Sequence, residues 1–266
     1  MIITLNIICT TFARGNIHKR LLKSILNDSF NPLKLKINFI LIDQNKRDAY
    51  FENKKYGKIN LEIIGSSQIG ISSSRNIGLK RVKKGYVWFL DDDCIVPKGT
   101  FNKIIYYLNQ NKHGFSFVAE NFENKPFRVW PKKKHSYNFL STWYLSFTIN
   151  SIFPYKKGMF CDLDLGQPLK YGSCEDLDFS IRYFKKLVFI PEILIIHKDI
   201  KKSMSYEKIF KYASGFGYVC RKHMPIGLAI LFFSCLVIAK HLIDDFDLRR
   251  FYYALKGRLL GFFRLC

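Results

Sequence analysis

The chain has 266 residues, of which 48% are hydrophobic and 16% aromatic, so it can bury a large core and is not a disordered chain. Lysine and arginine number 43 against 21 acidic residues. The formal charge of +22 requires an anionic partner: nucleic acid, nucleotide phosphates or an acidic membrane surface. The seven cysteines are odd in number and lack C-x-x-C spacing, which indicates reduced thiols in the cytosol rather than a disulfide framework or a zinc site.

The N-terminal part alternates between strand-like and helix-like segments. Runs of apolar β-branched residues predict strands, and apolar residues three or four apart predict helices. In chain order these are a strand at 2–9, a helix at 16–26, strands at 37–42 and 61–64, a helix at 72–82 and a strand at 86–90. The order predicts an α/β fold with a mostly parallel, Rossmann-type sheet flanked by helices. No basic residue precedes the first apolar run, which favours a strand over a signal peptide.

The middle of the chain is less regular. Between residues 111 and 160 it is rich in aromatic and basic residues, including Arg128, Trp130 and Lys132–Lys134. These side chains could stack on a sugar and attract an anionic lipid diphosphate, or they could form a solvated basic loop. Beyond them, residues 175–185 predict a helix and residues 187–196 a strand interrupted at proline.

The C-terminal part changes character. Residues 226–239 are uncharged and mostly apolar, and as a helix they would reach about 21 Å, short of the roughly 30 Å hydrocarbon core of a bilayer. Apolar residues then recur at helical spacing over 248–263, with arginine and lysine between them. Such helices lie at membrane interfaces, although both segments could instead pack as core helices. We therefore expect a catalytic domain at 1–222 and an apolar and basic amphipathic, membrane-associating tail at 223–266.

Acidic residues follow two of the predicted strands. Asp43 ends the second strand and Asp91–Asp93 follow the last one, while Thr10 and Thr11 follow the first. Ligands of such sheets bind at these strand ends. Because side chains alternate along an extended segment, Asp91 and Asp93 should face one side and Asp92 the other. The pair could share a divalent cation with a diphosphate; the alternative is a solvated acidic turn.

Four segments in order carry a resemblance to a known family: Ile7–Arg14, Gly70–Leu79, Gly85–Asp93 and Gly172–Arg182. They resemble the inverting family 2 glycosyltransferases of the GT-A fold, whose patterns run I-I-P-T-Y-N-R, G-x-s-x-a-R-N-x-G, F-L-D-D-D and G-x-x-E-D-x-D-l-x-x-R. The resemblance extends over about residues 1–200. Cys9 and Ala13 depart from the first pattern, where the family has proline and asparagine.

The resemblance implies a nucleotide-sugar donor, which we expect to be a UDP-sugar, bound by residues at the strand ends. Arg75 would lie beside the diphosphate and Asp43 near the base or ribose. The full set implied for the donor is Thr10, Thr11, Arg14, Asp43, Arg75, Asp91 and Asp92.

The resemblance also implies a Mn²⁺ or Mg²⁺ ion bound by Asp93, Asp91 and His197, and catalysis by Asp176 with Glu175. Asp176 matches the general base, and Glu175 would hold the start of its helix or touch the acceptor. Displacement at an anomeric carbon needs such a base and a means of stabilising the departing diphosphate. Taken alone, the two acids could simply begin a helix, and His197 could be an ordinary histidine at a strand end.

Three other functions fit less well. Nucleic-acid binding would use the same charge, but no helix-turn-helix, zinc spacing or RNP-like pattern is found. A sugar nucleotidyltransferase would carry a glycine-rich loop near the first strand, which this sequence lacks. A catalytically inactive membrane-associated module that binds nucleotide sugar or polysaccharide remains the alternative. We expect a glycosyltransferase that acts on a saccharide or lipid-linked saccharide acceptor at the cytoplasmic face of an anionic membrane.

Overall fold

The computed structural model describes residues 2–13, 17–45, 51–110, 113–136, 141–143, 147–184, 188–198, 204–245 and 247–265. These residues form two compact units. The first comprises the described residues of Met1–Ile69, Ser73–Phe160 and Phe179–Asp199, and the second those of Gly70–Ser72, Cys161–Asp178 and Ile200–Cys266. The sequence analysis also makes predictions for three residues outside this described part of the chain: Arg14, Lys185 and Leu187.

The first unit is built on a nine-stranded sheet. Its strands are β1 Ile3–Thr11, β2 Leu35–Asp43, β3 Phe51–Tyr56, β4 Ile59–Gly65, β5 Tyr86–Asp91, β6 Phe115–Glu120, β7 His135–Ser136, β8 Ser151–Pro154 and β9 Val188–Ile196. In space their order is β3-β4-β2-β1-β5-β8-β6-β9-β7. The expected strands at 2–9, 37–42, 61–64 and 86–90 are all present as β1, β2, β4 and β5, each one or more residues longer than expected.

The expectation of a mostly parallel sheet is confirmed in part, because the sheet is mixed. Among the described strands, β1 pairs in parallel with β2 and β5, β2 with β4, and β6 with β9. The other four pairings, which involve β3, β7 and β8, are antiparallel. The antiparallel strand β8 lies between β5 and β6, and its four residues are too few to show a two-residue periodicity in the sequence.

The helices named among the described residues are α1 His18–Leu26, α2 Ile71–Arg81, α3 Thr100–Gln110, α4 Glu175–Tyr183, α5 Tyr206–Lys222, α6 Ile226–Asp245 and α7 Leu248–Phe263. In the first unit, helices pack on the sheet as the apolar spacing predicts. Helix α1 buries Leu21, Leu22 and Ile25 in the core of the first unit. The fully buried ring of Trp88 packs edge-on against Phe101 of α3 and donates a hydrogen bond from Nε1 to the Ile149 carbonyl at 2.7 Å.

A row of asparagines fixes the register of three adjacent parallel strands, β4, β2 and β1. Asn38 on β2 donates to Asn6 on β1, and Asn60 on β4 donates to Asn38, each at 2.9 Å. Asn6 in turn donates to the carbonyl of Lys84, just before β5, at 2.9 Å. Because a slip of one residue would turn each amide to the opposite face of the sheet, this row specifies a single alignment of the strand ends.

The second unit contains the three C-terminal helices. Helix α5 was not predicted, α6 extends beyond the expected segment 226–239 to Asp245, and α7 agrees with the expected amphipathic helix. Helices α5 and α7 pack backbone to backbone at glycines: a Cβ on Gly217 would lie 2.0 Å from the Arg258 carbonyl oxygen, and one on Gly261 would lie 2.0 Å from that of Ser214. In the part of the chain that the structure describes, no helix is both long and apolar enough to cross a membrane.

The expected division of the chain at residues 222 and 223 stays a prediction. Helix α5, which ends at Lys222, belongs to the same compact unit as α6 and α7.

Strand β9 runs through Pro191, where the proline was expected to interrupt it. The pairing of β9 with β6 shifts register after Phe117, so a local irregularity accommodates the residue that lacks a backbone donor.

We predict that Gly78→Ala destabilises the protein although alanine favours helices. The new Cβ would lie 2.5 Å from Ile8 Cγ2 on β1, and such overpacking costs about 1–3 kcal/mol, more than the roughly 1 kcal/mol gained from helix propensity. The free energy of unfolding in urea measures the effect. In a double-mutant cycle with Ile8→Ala, the combined loss should be smaller than the sum of the single losses; additive losses would contradict the clash.

Candidate active site

The carboxyl ends of three neighbouring strands bring the expected residues into line. Thr10 at the end of β1 lies opposite Asp91 at the end of β5, and Thr11 lies opposite Asp43 at the end of β2. This alignment follows from the parallel pairing of β1 with both neighbours. Polar side chains therefore concentrate at the edge of the sheet where α/β proteins bind their ligands.

Two of the three consecutive aspartates converge on one histidine. The Nε2 atom of His197, which directly follows β9, lies 3.2 Å from Asp91 Oδ2 and 3.1 Å from Asp93 Oδ1. The backbone N–H of His197 donates to the Glu120 carbonyl at 2.9 Å, so β6 fixes the position of the histidine. The carboxylates of Asp91 and Asp93 thus face the same side, and we call these three residues the Asp–His cluster.

The charges of the Asp–His cluster reinforce one another. Burial lowers the pKa of His197, but hydrogen bonds and charge interactions with Asp91 and Asp93 outweigh burial and raise it to about 10. Without a bound cation the ring is therefore an imidazolium at neutral pH, and its Nδ1–H donates a hydrogen bond to the carbonyl oxygen of Lys198 at 2.6 Å. A cation that binds Nε2 would displace the proton on that nitrogen. The cluster holds one positive charge between two carboxylates, which is the position a bound cation would take.

Asp92 points away from this cluster. Its Oδ2 accepts a hydrogen bond from Thr11 Oγ1 at 2.7 Å, and both side chains are buried. This contact ties the end of β5 to the end of β1. Asp92 therefore supports the strand ends from inside, and a direct contact of Asp92 with a donor stays a prediction.

Arg75, near the start of α2, is buried beside the cluster. Only 3% of its surface is exposed. One guanidinium nitrogen lies 3.7 Å from Asp91 Oδ1, and the group stacks over the Phe89 ring at 5.2 Å. Arg75 therefore balances the charge of Asp91 and holds its carboxylate. The expected contact between Arg75 and a diphosphate stays a prediction.

Asp43 is joined to the loop after β1 through a residue that the sequence did not single out. Asp43 Oδ1 accepts hydrogen bonds from the backbone N–H of Asn45 at 3.0 Å and from its side-chain amide at 2.8 Å. The side-chain oxygen Oδ1 of Asn45 in turn accepts from the backbone N–H of Ala13. An aspartate whose side chain accepts from the backbone N–H two residues later forms an Asx turn, so the aspartate at the end of β2 was the available signal.

The donor atoms of the cluster fit a hard divalent cation. Asp93, Cys94 and His197 each offer one ligand atom, and these atoms lie within 4.8 Å of one another. Burial, followed by the charges of Asp91 and Asp93, raises the pKa of the Cys94 thiol well above its ordinary value, so the sulfur stays protonated. Mn²⁺ and Mg²⁺ prefer oxygen ligands. The Asp–His cluster is therefore a better ligand set for them than Cys94.

The expected catalytic acids begin helix α4 and are described in the second unit. Glu175 and Asp176 are half-buried in its first turn. A Cβ on Gly166 would lie 2.4 Å from Ile71 Cγ2 and 3.3 Å from the Glu175 carboxylate, and Gly166 has φ +93°. Burial first, and then the charges of Glu175, Cys174 and Asp176, raises the pKa of the Tyr212 hydroxyl. Gly166 and Tyr212 are thus neighbours of the acids that sequence reasoning missed.

The aromatic and basic segment after β6 runs back along β9. The Phe127 ring lies 5.8 Å from that of His197, and Trp130 stacks on Phe189 at 5.7 Å. His135, which follows the exposed Lys132–Lys134, pairs with Phe189. These lysines therefore directly precede the segment that pairs with the start of β9, at the end of the strand opposite to His197. This position favours a solvated basic loop over binding of a lipid diphosphate at the cluster.

The mixed sheet with acidic and histidine side chains at its strand ends defines a GT-A-like α/β domain. The sequence profile of Glycosyl transferase family 2 matches residues 6–167, which is more than half of the chain. The chain therefore belongs to glycosyl transferase family 2.

The proteins similar to this chain include one from Bacillus subtilis and S. aureus TarS, whose crystal structures share its fold. The minor teichoic acid biosynthesis protein GgaB of Bacillus subtilis (strain 168) is 40% identical over 50 residues, which is 19% of this chain and 6% of GgaB. The crystal structure of S. aureus TarS 1–349 has a TM-score of 0.59 at 15% identity over 98% of this chain and 72% of that one. The same fragment in complex with UDP-GlcNAc has a TM-score of 0.58 at 15% identity over 80% of this chain and 66% of that one.

The extent of these matches limits what they establish. The stretch shared with GgaB is a small part of that protein, and the chain spans about two thirds of the TarS fragment bound to UDP-GlcNAc. At 15% identity, the similarity to TarS establishes a common fold.

We predict that Thr11→Val destabilises the protein and weakens binding of UDP. Valine has the same shape but leaves the buried Asp92 carboxylate without the hydroxyl donor 2.7 Å away, and loss of a hydrogen bond to a charged group costs about 1–3 kcal/mol. Urea denaturation measures the stability and calorimetry the binding. Thr4→Val makes the same change at the other end of β1 and serves as the control; an equal loss in both variants would contradict the role of the Thr11–Asp92 contact.

Proposed function

We propose that this protein transfers a sugar from a UDP-sugar to a hydroxyl of a saccharide or lipid-linked saccharide, with inversion at the anomeric carbon and dependence on Mn²⁺ or Mg²⁺. The observation that carries this proposal is the Asp–His cluster, in which Asp91 and Asp93 lie 3.2 and 3.1 Å from His197 Nε2. A diphosphate and its cation need such a set of ligands. Membership of glycosyl transferase family 2 supports the reaction class.

The donor and acceptor are supported by the similar proteins. TarS has been crystallised with UDP-GlcNAc and with UDP, which supports a uridine diphosphate leaving group here. GgaB is a minor teichoic acid biosynthesis protein, which supports a surface polymer or its lipid-linked precursor as acceptor. The charge of +22 favours an acceptor that carries phosphate groups or lies at an anionic surface.

In the proposed reaction Asp176 is the general base. Its carboxylate accepts the proton of the acceptor hydroxyl while the hydroxyl oxygen forms a bond to the anomeric carbon. The bond from that carbon to the diphosphate oxygen breaks at the same time, and its electron pair leaves with UDP. Attack from the side opposite to the leaving group inverts the configuration. A positioned base of this kind contributes about 10²–10⁴-fold to the rate.

The strand-end residues stabilise the charge that develops on the departing diphosphate. Asp91, Asp93 and His197 would hold the divalent cation, which when bound supplies a Lewis acid for the diphosphate oxygens. Arg75 balances the charge of Asp91 at 3.7 Å and keeps its carboxylate in place. Because these groups are fixed by strands β5 and β9, little reorganisation accompanies the reaction.

Two substitutions separate donor binding from catalysis. Asp93→Ala should abolish Mn²⁺-dependent binding of UDP, because it removes an oxygen ligand from the Asp–His cluster. Asp176→Asn should bind UDP as the wild type does but lower the rate of donor hydrolysis about 10²–10⁴-fold. Calorimetry with UDP, with and without EDTA, measures the first effect. Release of UDP from UDP-glucose, UDP-galactose, UDP-GlcNAc and UDP-GalNAc measures the second.

Glu123→Gln provides a matched control for the loss of a carboxylate. Glu123 is exposed and forms an ion pair with Lys125 at 2.6 Å, so this variant should bind and hydrolyse as the wild type does. If the wild-type protein binds no UDP with Mn²⁺, or if both site variants behave like Glu123→Gln, the proposed function is wrong. A variant Asp176→Asn that also fails to bind would instead place Asp176 in donor binding.

We further propose that the C-terminal helices hold the enzyme at the cytoplasmic face of an anionic membrane. Helix α6 presents an exposed apolar stripe in which Phe232 and Phe233 are 61% and 64% exposed, followed one turn later by Leu236 and Val237. Helix α7 exposes the cationic side chains of Arg249, Arg250 and Lys256, and its C-cap residue Arg264 is exposed as well. An apolar stripe accompanied by cations suits the interface of a bilayer that contains acidic lipids.

This membrane proposal predicts the effect of removing two aromatic rings. Phe232→Ser with Phe233→Ser should lower binding to vesicles of phosphatidylglycerol and phosphatidylcholine at least about tenfold, since burial of each ring contributes about 1.5–3 kcal/mol. Flotation measures the bound fraction, and vesicles of phosphatidylcholine alone should bind more weakly. Leu163→Ser, at a leucine that is 59% exposed, is the control. Equal binding of the double variant and the wild type would contradict the proposal.

A further inference from the structure

The first turn of α4 carries a third acid that the proposed reaction does not use. Asp178 is two residues after Asp176, and residues two apart on a helix point about 200° apart. Asp178 is fully buried, whereas Asp176 is half-buried. The two carboxylates therefore lie in different environments. A buried carboxylate such as that of Asp178 is stable only when cations or hydrogen-bond donors compensate its charge.

Two consecutive residues at the end of α5 compensate Asp178. Its Oδ1 lies 2.9 Å from Lys222 Nζ and 3.0 Å from His223 Nε2. Lys222 also donates to Asp162 Oδ2 at 2.6 Å, and the same oxygen lies 3.3 Å from the Tyr218 hydroxyl. One lysine thus bridges two acids from different segments of the second unit. The group ties three pieces of chain together: the loop that contains Asp162, the start of α4, and the end of α5.

We call the contacts of Asp178 with Lys222 and His223 the anchor. The local backbone links this anchor to the turn that carries Glu175 and Asp176. The N–H of Asp178 donates to the Cys174 carbonyl at 3.0 Å, which closes the first turn around Glu175 and Asp176. Cys174 has a left-handed backbone, with φ +69°. A non-glycine residue in that region is held there by its surroundings. The direction in which α4 starts, and hence the position of Asp176, therefore depends on contacts such as the anchor at Asp178.

We propose that Asp178 is a positioning residue: its buried contacts with Lys222 and His223 fix the first turn of α4 and thereby the carboxylate of Asp176. This inference rests on the proposed function, because it assumes that Asp176 is the base. A small displacement of a catalytic group is enough to matter, since an error of about 1 Å can lower a rate about 10²-fold. Asp178 itself touches neither donor nor acceptor in this proposal.

The test compares variants that break the anchor with one that keeps its charge. Asp178→Asn and Lys222→Met should lower kcat for donor hydrolysis about 10–100-fold while leaving the Kd for UDP with Mn²⁺ within about twofold of wild type. Lys222→Arg keeps a cation between the two acids and should retain most of the activity. The donors are the four UDP-sugars named above.

A second measurement separates positioning from loss of stability. Leu231→Ala truncates a buried residue of α6 and should lower the Tm without changing kcat below the transition. Hydrogen exchange at residues 175–179 should be faster in Asp178→Asn than in either the wild type or Leu231→Ala. If Asp178→Asn lowers kcat no more than Leu231→Ala does, or if exchange in this turn is unchanged, the positioning role is wrong.

The exchange measurement also distinguishes this proposal from the proposed function. If the wild-type chain hydrolyses none of the four donors, the glycosyltransferase reaction is contradicted and the catalytic part of the inference fails with it. Faster exchange in Asp178→Asn would then still support the anchor as the group that orders the start of α4. Unchanged exchange would overturn the anchor as well.

Discussion

The strongest constraint on this molecule is the repulsion among three consecutive aspartates at the end of a buried strand. Carboxylates so close together are stable only if cations or hydrogen-bond donors compensate their charges. The structure separates them: Asp91 and Asp93 turn to His197, and Asp92 turns to the Thr11 hydroxyl. This separation requires β1 and β9 to end at the same edge of the sheet as β5. The arrangement of the strands in the sheet therefore determines which side chains meet in the candidate site.

The compensating groups come from distant parts of the sequence, which explains why strand register matters. The Asn6–Asn38 contact at 2.9 Å fixes β1 against β2 far from the site, at the opposite half of the strands. The same register fixes the pairing at the other end of the strands, where Thr10 lies opposite Asp91. A slip of one residue would turn Thr11 away from Asp92 and leave a buried charge without its donor.

Sequence reasoning succeeded where a pattern is long or chemically unusual. Apolar runs that end in acids identified β2 and β5, and the spacing of leucines identified α1. It failed at β8, whose four residues are almost wholly buried and show no alternation, so the antiparallel half of the sheet was missed. It also missed Asn45 and Tyr212, because a turn asparagine and a helical tyrosine acquire meaning only from the side chains that folding brings beside them.

The acidic motif at the start of α4 shows how one short segment can serve two needs. Acids in a first helical turn are favourable by themselves, since they complement the helix dipole. The helical spacing then divides their surroundings: Asp178 enters the interior and must be neutralised, while Asp176 keeps partial access to solvent. Lys222 supplies a neutralising charge and His223 a hydrogen bond to Asp178, and both lie at the end of helix α5, which packs against α7 through glycines. The C-terminal helices thus support the start of α4 through charge as well as through packing, and a change in them would reach the carboxylate that we propose as the base.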